Sequence, residues 1–180
     1  LQEWLPREDV LTYEETLRLI RIATELGVSK VRITGGEPLT RRDVLSLFEM
    51  LRSVAGINDL GLSTNGTLLS RRTASGLTMA EALRAARVNS VNVSLDTLDP
   101  KVYAQTTGRD FLAQALAGID AAIAAGFEQI KLNCVLMRGR NEEQCVPLVE
   151  YAAARGLLLR FIELMPVSTG DVLHDENFLP

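Results

Sequence analysis

Short runs in which β-branched or other apolar residues alternate with polar ones recur along the chain, and between them lie longer runs whose apolar residues return every three or four positions. Side chains on an extended strand change face at every residue, whereas a helix brings positions three and four apart onto one face. The first pattern therefore predicts strands and the second amphipathic helices. Their regular succession predicts βα units and a parallel sheet. Five strands are expected, at residues 30–34, 59–64, 90–96, 129–137 and 157–165. In the intervening segments Val44, Leu47, Phe48 and Leu51 share one helical face, as do Leu112, Ala115, Leu116, Ile119 and Ile123. Thr12 with Glu15 and Thr78 with Glu81 have capping-box spacing, Asp99 followed by Pro100 reads as a cap and a first-turn proline, and Gly27, Gly126 and Gly156 stand where helices end. Pro147 would remove a backbone donor inside the helix after Asn141, so that helix is expected to kink or to start late.

The leading helix, residues 12–27, has no strand before it, and residues 166–180 are irregular and polar, so both ends read as cut. A complete eight-unit βα barrel takes about 250 residues, which makes the expected fold an α/β partial barrel of about five βα units without its first strand and C-terminal region. Residues 1–165 would form that core and 166–180 would begin a linker. With 180 residues, 47% apolar and 23% charged, the chain has the material for one domain or a large part of one. Its net charge of −4 argues against a nonspecific nucleic-acid or anionic-membrane binder, while leaving room for a local basic pocket. No apolar stretch of spanning length and no signal-peptide pattern occurs, so a cytoplasmic location is expected. Cys134 and Cys145 have no Cys-x-x-Cys spacing and are expected as buried small side chains.

Strands of a parallel sheet covered on both faces are apolar at nearly every position, and these strands are not. Val31 and Ile33 alternate with Arg32 and Thr34; Val91, Val93 and Leu95 with Asn92, Ser94 and Asp96; Ile130, Leu132 and Cys134 with Lys131 and Asn133. The polar members gather on one side, which in a barrel is the lumen. Unpaired charges and polar groups are costly to bury, so such a lumen should hold a polar, anionic ligand. A self-satisfied network of buried ion pairs is the competing reading.

The run Val31-Arg32-Ile33-Thr34-Gly35-Gly36-Glu37-Pro38 breaks a strand on two glycines beside a carboxylate, the outline of a ligand-binding turn. Glycine lets the backbone approach a ligand closely, and Glu37, with Pro38 fixing the next φ, offers an acceptor for an ammonium group; an ordinary strand-to-helix turn is the plainer alternative. Asn65-Gly66 has hairpin composition but no alternating strand follows it, so a strand-to-helix turn is expected there. Met165 could pack its thioether on a flat heteroaromatic ring or simply fill a core. His174 and the Arg41-Arg42 pair read as solvated side chains.

Taken in order, Val31-Arg32-Ile33-Thr34-Gly35-Gly36-Glu37-Pro38, Ser63-Thr64-Asn65-Gly66, Asn92-Val93-Ser94-Leu95-Asp96, Lys131-Leu132-Asn133 and Arg160-Phe161-Ile162-Glu163-Leu164-Met165-Pro166 resemble the radical S-adenosylmethionine enzymes. Within that family they look most like the members that cyclise GTP in the first step of molybdenum cofactor biosynthesis. The resemblance implies that Gly35, Gly36, Glu37 and Pro38, together with Ser94 and Met165, bind S-adenosylmethionine, and that Arg32, Ser63 and Lys131 bind GTP. Ser63 departs from the threonine more often found there, and the connection at residues 69–88 is longer than usual. The implied chemistry is radical: a reduced 4Fe–4S cluster cleaves S-adenosylmethionine to a 5′-deoxyadenosyl radical, which takes the ribose 3′ hydrogen before the sugar attacks C8 of guanine. The product would pass to cyclic pyranopterin monophosphate synthase, and a homodimer is compatible with the resemblance.

The cysteine triplet that holds the cluster would lie upstream of Leu1, and the region for a second cluster would lie downstream, so the chain by itself is expected to be catalytically inert. Two alternatives stay open. One is a radical enzyme acting on a peptide or another small molecule, for which Arg32 and Lys131 would meet no triphosphate. The other is a non-catalytic βα binding domain.

Overall fold

All five expected strands form, and they pair in chain order. In the computed structural model, which describes residues 9–165 and Asn177, β1 (Lys30–Ile33), β2 (Asp59–Thr64), β3 (Ser90–Ser94), β4 (Gln129–Leu136) and β5 (Leu158–Glu163) make one sheet in that order. Every pairing is parallel. A helix precedes β1 at α1 (Tyr13–Glu25), and α2 (Val44–Arg52), α3 (Met79–Ala85), α4 (Pro100–Thr107), α5 (Leu112–Ala124) and α6 (Cys145–Ala154) fill the crossovers. Crossovers of one hand between adjacent parallel strands put the helices on one side of the sheet, the arrangement of part of a βα barrel. Phe48, Leu51, Leu83, Ile119 and Leu148 from the helices accordingly pack in one core with Leu62, Val91, Val93 and Leu132 from the strands, all fully buried.

The helix ends follow local chemistry. Thr12 and Thr78 each accept from the backbone of the glutamate three residues on, and Glu15 and Glu81 return bonds to the cap backbone. Those bonds to Thr12 and Thr78 hold both carboxyls below the usual glutamate range. Asp99 accepts from the N–H groups of Lys101 and Val102 ahead of Pro100. Pro147 falls in the first turn of α6, after a 3₁₀ turn at Glu142–Gln144, so the helix starts late and its missing N–H is one that no helical carbonyl would have taken.

Several boundaries differ from expectation. β3 stops at Ser94 because Asp96 substitutes its side chain for backbone pairing: Leu95 N–H still donates to Asn133 at 2.9 Å, and Val135 N–H then donates to Asp96 Oδ1 at 2.8 Å. β5 ends at Glu163, leaving Met165 beyond the ladder. The Asn65-Gly66 turn joins strand to helix as expected, but α3 begins only after a small antiparallel turn in which Arg72 pairs with Thr78. In α5 the buried stripe runs through Leu112, Ala115, Gly118, Ile119 and Ala122, which leaves Ile123 at its edge, 38% exposed. Cys134 is buried as expected and Cys145, at the start of α6, only half so. Arg41 is not simply solvated: it stacks 4.3 Å from the Tyr13 ring centroid and donates to the Leu11 carbonyl, tying α1 to the approach of α2. His174 and the expected linker at 166–180 lie outside the described residues, except Asn177.

One close approach governs how α5 sits on the sheet. A Cβ on Gly118 would lie 1.9 Å from the carbonyl oxygen of Gly66, which itself turns at φ 80°. Only glycine at position 118 lets the helix backbone meet the end of β2.

Candidate functional site

The register shows which side chains share the inward face. Arg32, Gly61, Ser90 and Gln129 form one row across β1–β4; Ser63, Asn92 and Lys131 form the next; Ser94, Asn133 and Arg160 the one after. The opposite parity carries Leu62, Val91, Val93 and Leu132 into the core beneath the helices. Arg32, Ser63, Ser94 and Lys131 therefore share one face of one sheet.

Arg32 does not project from its own strand. Its guanidinium lies across β2, donating from Nη1 to the Leu62 carbonyl at 3.0 Å and from Nη2 to Ser90 Oγ at 2.9 Å. Gly61 makes this possible, since a Cβ there would stand 2.6 Å from the guanidinium carbon. Lys131 is half-buried and forms no ion pair among the described residues. Arg160, in the neighbouring row, holds Asn133 Oδ1 with two N–H groups at 3.0 and 2.7 Å. Between Ser63 and Lys131 stands Asn92, only 8% exposed, whose Oδ1 has no hydrogen-bond partner.

The rim above β1 is built around Glu37. Gly35 and Gly36 are exposed, with open space where a Cβ would project, so a ligand can approach this backbone directly. The Glu37 carboxylate turns away from solvent and accepts from Leu39 N–H at 3.1 Å, Thr64 Oγ1 at 2.8 Å and Asn65 N–H at 2.7 Å. Three of its roughly four acceptor positions are thus filled by the protein. Its structural work is to tie the Gly-Gly turn, and the buried Pro38 and Leu39 after it, to the end of β2. Ser94 is exposed at the top of β3, and Met165 is 65% exposed.

Next to Ser94, Asp96 is held by Val135 N–H in a pocket shared with Asn65, Thr97 and Tyr103. Burial pushes its carboxyl above the usual aspartate range, and the Val135 N–H opposes that rise. Buried Asn141 braces the same corner, donating from Nδ2 to the carbonyls of Asp96 and Val135, both at 2.9 Å, and accepting from Met137 N–H. The sequence reading attached no role to Arg160, Asn92 or Asn141. Strand parity already put Asn92 on this face and would have put Arg160 there too, whereas nothing local marks Asn141, whose partners come from two strand ends.

The cysteines present do not suit an iron–sulfur cluster. Burial pushes the Cys134 thiol up to about 12, and its Sγ lies against the Asp96 carbonyl, whereas thiolate is the form that ligates iron. Among the described residues no three His, Cys, Asp or Glu side chains converge on a metal position. The inward face and the Gly-Gly rim do suit a cofactor that carries a carboxylate, an ammonium and hydroxyl groups, because they offer free backbone, hydroxyls and cations.

Comparison with known proteins agrees with this fold. A GTP 3′,8-cyclase of Xanthomonas axonopodis pv. citri is 47% identical over 160 residues, covering 88% of this chain and 46% of that protein. A GTP 3′,8-cyclase of Ectopseudomonas mendocina is 46% identical over 167 residues, covering 93% and 48%. The chain thus spans about half the length of these curated relatives. Among solved structures, Streptococcus suis SuiB bound to S-adenosylmethionine superposes with a TM-score of 0.69 at 20% identity, over 88% of this chain and 36% of that one, a likeness of fold. The sequence model of the radical SAM superfamily matches residues 3–152, most of the chain. With five parallel strands, the Gly-Gly-Glu-Pro rim and that match together, the chain belongs to the radical SAM superfamily.

Proposed function

We propose that this chain is the barrel core of a GTP 3′,8-cyclase, with S-adenosylmethionine at the Gly35–Gly36 rim beside Ser94 and Met165, and GTP over the inward rows that carry Arg32, Ser63 and Lys131. The observation that carries the reading is the collection of Arg32, Lys131 and Arg160 on one face of a chain whose net charge is −4. Cations gathered there concentrate a polyanionic ligand that the rest of the surface repels. The names of the relatives support GTP as that ligand. Together with a reduced iron–sulfur cluster, bound S-adenosylmethionine supplies hydrogen-abstracting radical chemistry. This chain's own part is positioning: Arg32, preset by Ser90 and the Leu62 carbonyl, and half-buried Lys131 hold the phosphates, while the free backbone of Gly35 and Gly36 receives the cofactor's amino-acid end. Glu37 acts through the turn it anchors, holding the Gly35–Gly36 backbone against the end of β2. The product would pass to cyclic pyranopterin monophosphate synthase, and the isolated chain would not turn over.

The test is GTP binding by the full protein that carries this sequence. Charge-assisted contacts to phosphate imply losses of about tenfold or more for Arg32→Ala and for Lys131→Ala, with S-adenosylmethionine affinity kept. Unchanged GTP affinity in both variants would favour a radical enzyme acting on a peptide or another small molecule.

A further inference from the structure

We propose that Asn92 recognises the sugar of the bound nucleotide, its Oδ1 accepting a hydrogen bond from a ribose hydroxyl. The inference rests on the reading of the inward rows as a nucleotide site and adds to it a specificity-determining residue. Its basis is an unmet demand: Asn92 is 8% exposed, its Oδ1 is sealed from solvent, and that oxygen has no hydrogen-bond donor. The other buried side chains of this region are satisfied, Asn141 by three bonds and Thr64 by Glu37. A buried acceptor without a donor is destabilising, and ligand binding relieves that if the ligand brings the donor.

The position selects which donor. Asn92 lies in register with Ser63 on one side and Lys131 on the other, and its parity puts it on the face from which Arg32 reaches Ser90. Phosphate oxygens held by these cations are acceptors at neutral pH and cannot serve Oδ1. A base would be expected to have a stacking surface, and no inward-facing position of β1–β4 is aromatic. The sugar, one linkage from the phosphates, carries hydroxyl donors at the right remove. Lys131 flanks the carboxamide on β4 with an ammonium in no ion pair among the described residues, so its flexible stem is free to leave Asn92 as the ammonium follows a phosphate.

The experiment measures equilibrium binding of GTP, 2′-deoxy-GTP and 3′-deoxy-GTP to the full protein saturated with S-adenosylmethionine, and repeats it with Asn92→Ala. The native protein should prefer GTP by about tenfold over at least one deoxynucleotide, and Asn92→Ala should lose that preference by weakening GTP alone. Because the substitution removes an unpartnered buried acceptor, the ligand-free melting temperature should stay level or rise, a result that a structural role would not give. Asn92→Ser is the second variant should alanine fold poorly, and the native preference needs no variant. Equal weakening of all three nucleotides, or no preference in the native protein, overturns the role of Asn92 while leaving the nucleotide site standing. No GTP binding by the native protein with S-adenosylmethionine bound overturns both.

Discussion

The two faces of the sheet are made from the same five strands and obey opposite rules. On the helix side Leu62, Val91, Val93 and Leu132 are fully buried among apolar neighbours, and the surface is complete without any ligand. On the inward side the neighbouring residues are Arg32, Asn92 and Lys131, of which one is preset by protein partners, one has a buried atom with none, and one is in no ion pair among the described residues. One face stores stability and the other stores unsatisfied bonding capacity. Strand alternation allows both in a single sheet, because a substitution on one parity scarcely touches the other.

Two glycines offer the sharpest way to break this contrast. Gly118→Ala should give the largest effect, since its Cβ would collide with the Gly66 backbone and α5 would have to lift from the sheet. A loss of about 3 kcal/mol in denaturant unfolding is expected, and a loss below about 0.5 kcal/mol would show that the contact yields easily. Gly61→Ala also introduces a Cβ at impossible range, but against the far end of Arg32, which can move. Here the expected result is a small stability change together with about tenfold weaker GTP binding as Arg32 loses Ser90 and Leu62. A melting temperature that falls as far as that of Gly118→Ala would dissolve the distinction between the faces.

Asp96 sharpens the comparison from the rim. Burial raises its carboxyl in the folded state, so folding favours the protonated form. The stability associated with this group is fully present below the ordinary aspartate range and is lost as pH rises through the raised folded value. Asp96→Asn, whose Oδ1 can still accept from Val135, should therefore raise the melting temperature at neutral pH by a few degrees, estimated as about 1 kcal/mol for a domain of this size. The gain should vanish in acid; a gain that is constant with pH would exclude Asp96 ionisation as its cause.

Much of the fold was legible in the residues because its causes are local. Alternation gave five strands within a residue or two, and the capping boxes of α1 and α3 and the late start forced by Pro147 on α6 involve groups a few positions apart. Parity also foretold that Arg32, Ser94 and Lys131 would share a face. It missed the end of β3, where a side chain replaces a backbone partner, and the turn before α3, whose Thr73 and Leu77 bond each other without an apolar signature.

The order of strands and helices, their caps and the polarity of each sheet face were determined by the sequence alone, because covalent spacing sets which side chains can meet within a turn or along a strand. Tertiary structure decided the rest: Arg32 crossing Gly61 to Ser90, Glu37 anchoring residues 27 and 28 positions away, Gly118 admitting Gly66, and Asn92 left without a donor. Each of these depends on through-space register between strands remote in sequence. That register is fixed only when the whole sheet packs.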